Sequence, residues 1–115
     1  MLKMMLISFV LFLLFLSCQN INVVEPFNFE RDTPEWLKTK IDTMSNHTDY
    51  YGTSVFRYEW NEDFIYHIMI PISSCAFCEL YYENGNRTNI VSDVLFTDFV
   101  NNRKNETLVW ERDKW

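Results

Sequence analysis

Apolar positions first recur at helical spacing after residue 32. Thr33 can cap a helix, Pro34 fits a first helical position, and Glu35 suits the positive end of the dipole. Leu37, Ile41 and Met44 follow at i, i+4 and i+7 and form one apolar stripe, with Lys38, Thr39, Lys40 and Asp42 outside it. Ser45-Asn46 and the polar stretch to Gly52 end the helix.

The period then drops to two. Phe56, Tyr58 and Trp60 alternate with Val55, Arg57 and Glu59; Phe64, Tyr66, Ile68 and Ile70 alternate with Ile65, His67 and Met69. This predicts a hairpin over 55–70, ended by Pro71. A three-residue loop, Asn61-Glu62-Asp63, pairs Trp60 with Phe64, Tyr58 with Tyr66 and Phe56 with Ile68, gathering the aromatics on one face. A two-residue loop shifts the pairing by one and mixes the faces, so the longer loop is expected. Glu79 to Glu83 reads as strand and runs into Asn84-Gly85, the signature of a type I′ turn, with Thr88 to Val91 as the return. Ser92-Asp93 starts a short helix through Val100, whose rough apolar face is Leu95, Phe96, Phe99 and Val100. Thr107 to Trp110 is a last strand. The expected class is α+β: one N-terminal helix packed on a small antiparallel sheet of about four strands, with a second short helix.

The start of the chain follows neither period. After Met1-Leu2-Lys3, the stretch Met4 to Leu16 holds no charge, and Ser8 is its only polar residue. As a helix it spans about 20 Å against a hydrocarbon core of roughly 30 Å. That suits the apolar region of a signal peptide better than a membrane span. It closes on Phe15-Leu16-Ser17-Cys18, which resembles the lipobox of bacterial lipoproteins. By that resemblance residues 1–17 are removed, and Cys18 becomes an acylated first residue. Acyl chains contribute about 0.8 kcal/mol per buried CH₂, and more than one gives stable anchoring. Gln19 to Asp32 carries Pro26 and no period, so 18–32 is expected to be anchor and tether, reaching about 20 Å if flexible. Val23, Val24, Phe27 and Phe29 could instead dock on the domain, which is expected over 33–115.

Further motifs carry a second resemblance. PEWLKTKID, VFRYEW with FIYHIMIPISSCAFCELYYENGN, and a late RKNETLVWERDKW are similar to those of a family of small bacterial lipoproteins that carry a domain of unknown function. The resemblance implies an envelope location and a small domain, and brings no activity. Gln19 lacks the Asp that retains some lipoproteins at the inner membrane, so the outer membrane is implied, facing periplasm or surface.

Charge narrows the partners. Sixteen Asp and Glu stand against ten Lys and Arg, a net charge of −6, and the basic residues form no patch. Such a chain repels phosphate backbones, so nucleic acid is not an expected partner. The three cysteines are Cys18, Cys75 and Cys78; lipid on Cys18 leaves the other two as a pair. Cys75-x-x-Cys78 is a structural disulfide or a redox pair. The first is preferred, because Cys78 runs into strand residues and acidic Glu79, not a helix start. A zinc site needs about two more donors, and neither His47 nor His67 has a spacing tied to the cysteines, so no metal or cofactor is expected.

His67 is read as a half-buried sheet residue opposite Arg57, and His47 as a solvated loop residue. Glu59, Glu62 and Asp63 are read as a solvated hairpin tip. The aromatic residues, 17% of the chain, are read mainly as core; Tyr50, Tyr51, Tyr81, Tyr82 and Trp115 are the candidates for an exposed binding face toward an envelope protein or glycan. The expected function is a lipid-anchored, non-enzymatic binding or structural accessory of the cell envelope. Two rivals stay open: a thiol-redox or metal-dependent enzyme using Cys75 and Cys78, and an inhibitor of an envelope hydrolase.

Overall fold

The structure, a computed structural model, describes residues 25–113. The expected signal peptide, Cys18, Val23, Val24 and Trp115 lie outside the described residues. The elements in chain order are a helical turn α1 (Phe29–Asp32), helix α2 (Glu35–Ser45), a 3-10 turn (Thr48–Tyr50), strands β1 (Ser54–Trp60), β2 (Asp63–Met69) and β3 (Leu80–Tyr82), helix α3 (Asp93–Asn102) and strand β4 (Lys104–Glu111). The strands form one antiparallel sheet in the order β3-β2-β1-β4. The fold is α+β with four strands, as the hydrophobic pattern predicts.

Residues 25–32 do not read as a free tether. Asn28 caps α1 by accepting the Arg31 N–H at 2.9 Å, and Phe27 and Phe29 pack against the core. Thr33 is thereby used: its N–H donates to the Phe29 carbonyl, and its hydroxyl is buried with no partner. Pro34, not Thr33, stands at the N-cap of α2, and the Pro34 carbonyl takes the Leu37 and Lys38 amides. The predicted stripe of Leu37, Ile41 and Met44 is buried.

The first hairpin closes differently from expectation. Val55 pairs with Ile68, Arg57 with Tyr66 and Trp60 with Asp63, leaving a two-residue loop. Both loop residues, Asn61 (φ +50°) and Glu62 (φ +68°), sit in the left-handed region, the pattern of a type I′ turn. The expected three-residue loop gathered the aromatics on one face. Here both faces are covered, and Ile65, Tyr66, His67 and Ile68 are buried in succession. Mixing the faces then exposes nothing, and the turn that matches the strand twist is free to set the register.

The two faces are covered by different elements. On one, Val55, Tyr66, Ile68, Tyr81 and Val109 meet Leu37, Ile41 and Met44 of α2. On the other, Tyr58, Trp60, Ile65 and Leu80 meet Phe99 of α3 and Ile90. Phe99 is fully buried, edge-on to Tyr58 (5.6 Å) and to Trp60 (5.7 Å). Ser92 caps α3 as predicted, accepting the Leu95 N–H at 3.3 Å.

The Asn84-Gly85 turn also departs from expectation. Only Gly85 has positive φ (+91°); its N–H reaches the Tyr82 carbonyl at 3.0 Å, and the Tyr82 N–H reaches Asn86 at 2.8 Å. This is a three-residue loop with a glycine bulge, not type I′. The return strand shrinks to one bridge, Tyr81 with Arg87. Trp36 lies over Gly85, held by its Nε1–H to the Glu83 carbonyl at 2.7 Å; a Cβ at residue 85 would come within 3.1 Å of the indole.

Two substitutions test this architecture. Phe99→Ala empties the centre of the second layer and should cost about 3–5 kcal/mol in urea unfolding. A loss below about 1 kcal/mol would mean α3 is not a structural layer. Glu62→Gly removes left-handed strain from a residue with a Cβ and should raise stability by about 1 kcal/mol; a decrease would contradict the turn assignment.

Candidate functional site

Helix α3 covers only part of its face of the sheet. Its 10 residues span about 15 Å, whereas the strands beneath, 7 or 8 residues long, span about 23–27 Å. The uncovered end holds Phe56, His67 and Met69, bordered by Phe96 from the first half of α3 and by the segment between β2 and β3. The space between them is a cleft of about 560 Å³.

That segment is closed by a disulfide. Cys75 and Cys78 are bonded, with Cα atoms 5.5 Å apart, in an irregular stretch between strands and not at a helix start. Two contacts pin the small ring. The Ala76 carbonyl is 3.0 Å from Nε2 of His67, and Phe77 packs near Phe96 at 6.3 Å. Nε2 faces an acceptor, so it carries the proton and donates. Nδ1 is then an acceptor, and it is buried with no partner.

His67 is therefore not half-buried opposite Arg57. It lies across from Phe56 on β1 and Leu80 on β3, and only 7% of its surface is exposed. The one-residue register change moves it there. Burial pushes its pKa below the ordinary histidine value; the bond to Ala76 opposes that shift, and the Arg103 charge adds to it. The imidazole is neutral near pH 7, and both thiols are spent on each other.

The other candidate residues are dispersed. His47 is exposed in its loop, and Glu59, Glu62 and Asp63 are exposed around the hairpin tip, where with Trp60, Asn102 and Lys104 they line a recess of about 710 Å³. Tyr81 is not an exposed aromatic: it is buried against Trp36, with Lys40 4.9 Å above its ring, and its hydroxyl donates to Glu79. Tyr82 points to the opposite face and is half-buried, its hydroxyl 3.3 Å from Asn89. Tyr50 and Tyr51 are half-buried near the start of β1, Tyr51 beneath the Arg112 guanidinium at 4.3 Å. The described tyrosines thus form no single face. Among the described residues, no group of three or more His, Cys, Asp or Glu is placed to hold a metal.

Sequence reasoning missed the cleft. Its only signal is the mismatch between a helix of three turns and longer strands, which is visible once the pairing is known. No family, curated protein or solved structure matches this chain.

His67 gives a pH prediction. Between its ordinary value near 6.5 and its lower folded value, the unfolded chain binds a proton that the folded chain refuses. Stability is full above about pH 6.5 and falls as pH drops toward the folded value. Asp32, pulled down to about 2 by the Arg31 hydrogen bond and then the Asn28 N–H, acts in a separate window below about pH 4. Urea titrations at pH 7.5 and 5.5 should show the loss in the wild type and a flatter profile in His67→Gln. Equal slopes would place the titrating group elsewhere.

Proposed function

We propose that this protein is a lipid-anchored component of the cell envelope, at the outer membrane, whose domain works as a non-enzymatic binding or structural accessory. The observation that carries the proposal is the cysteine pairing. Cys75 and Cys78 are bonded to each other, which suits an oxidising compartment. That leaves Cys18, directly after the apolar stretch and Ser17, outside the pair and where a lipobox would place it.

Among the described residues, no helix is long and apolar enough to cross a membrane. A domain of this kind would be held at a membrane by acyl chains on Cys18. The non-enzymatic part draws on chemistry near the disulfide. The bonded sulfurs sit outside any helix N-terminus that would favour a thiolate, and His67 is committed to the Ala76 carbonyl. The domain's uncharged cleft suits recognition more than group transfer.

Expression of the full chain in a Gram-negative host with labelled palmitate tests this. The wild type should incorporate label and sediment with membranes, with mass spectrometry showing an acylated Cys18 as first residue. Cys18→Ser should lose the label. A bare Cys18 thiol, or residues 1–17 still attached, would overturn the anchoring.

A further inference from the structure

The cleft beside the disulfide has a lining that specifies its occupant. Its size lies within the roughly 300–1,000 Å³ range of small-ligand sites. The walls are hydrocarbon from Phe56, Met69, Ile70, Pro71 and Phe96. Charged residues make up 23% of the chain, yet among the described residues lining this cleft there is none. A charged ligand would lose its water there and gain no counter-charge.

A peptide is a poor fit as well. The floor is the face of β1 and β2, the two central strands; β1 has a partner on each side, and β2 is paired with β1 along its length and with β3 over Ile65, Tyr66 and His67, which leaves only its end residues with an open edge. That edge is too short to give an extended peptide a row of donors and acceptors to pair with. The polar side chains in the lining are few: Ser54, Ser73, whose hydroxyl accepts the Cys75 N–H at 3.4 Å and keeps its own O–H to donate, and His67, whose ring nitrogens are bonded to Ala76 or buried. Met69 stands at the rim, 47% exposed, and its flexible thioether can follow an irregular chain.

We propose that this cleft binds the acyl chain of a neutral single-chain lipid, a monoacylglycerol-type molecule, with its hydroxyl head group toward Ser54 and Ser73. The head group's hydroxyls would pair with those of Ser54 and Ser73, and the chain would cover the part of the sheet that α3 leaves open. Acylation of Cys18 is not required, so the proposal and the anchoring stand or fall separately.

The test uses the full chain in phosphatidylcholine vesicles doped with a monoacylglycerol that carries a diazirine in its chain. After irradiation and digestion, label should lie on the peptides that hold Met69 to Cys75 or Phe96. Excess unlabelled monoolein should suppress it, and excess oleate, whose head is charged, should not. Met69→Asp should lower labelling about tenfold by placing a carboxylate against the chain, whereas Ile72→Asp, outside the lining, should leave it unchanged. The competition arm needs no variant and holds if Met69→Asp does not fold. Label confined to residues before Glu25, suppression by oleate as strong as by monoolein, or cross-links joining two copies through Met69 would each overturn the proposal. The last would make a second copy the occupant.

Discussion

A small sheet that is apolar on both sides has to be covered twice, and this domain has few residues for the task. Helix α2 covers one face with Leu37, Ile41 and Met44, helped by Phe27, Phe29 and Trp36. The other face has only the short α3, centred on Phe99, and the disulfide-closed segment. Much of the remaining architecture follows from this division. Four successive residues of β2 can be buried because each direction has a lid, and the hairpin can take the tighter turn because mixing the faces leaves its apolar residues covered.

The segment after β2 is a substitute for missing helix. It is too short and irregular to present a continuous apolar face, so it is held at points: the Cys75–Cys78 bond closes the ring, Ala76 is tied to His67, and Phe77 reaches Phe96. A histidine suits that position because it fills space like an aromatic and can donate to the Ala76 carbonyl while staying neutral. The unpartnered Nδ1 is the cost of using it there.

Helical spacing was legible because it is local. The Leu37-Ile41-Met44 stripe, the Ser92 cap and the α+β class need no knowledge of what lies opposite. Register was not legible, because alternation favours gathering the aromatics on one face, while Ile65 to Ile68 belongs to a strand buried on both. The turns depart from their sequence signatures for a related reason. Asn84-Gly85 has the better type I′ sequence, but Trp36 clamps that loop from α2, and the paired left-handed residues fall at Asn61 and Glu62. His67 and Tyr81 changed roles with the register and the second layer. The cleft is a difference between two lengths that no single motif encodes.

The use of the basic residues adds a last step. Arg57 lies between Phe27 and Phe64, Arg103 over Tyr58 and Phe99, Arg112 over Tyr51, and Lys40 over Tyr81. These cations act as lids on aromatic rings, where the apolar stem and the planar or compact head both find contact. They are thereby spread over the domain, and the surplus carboxylates set its field. A domain of that charge gains nothing electrostatically from an anionic bilayer. An attachment to a membrane, as proposed, would draw on hydrocarbon, by chains bonded to the protein or by chains it encloses. The same requirement bears on the proposed ligand: an anionic lipid would meet the repulsion that the surface already imposes, and a neutral one would not.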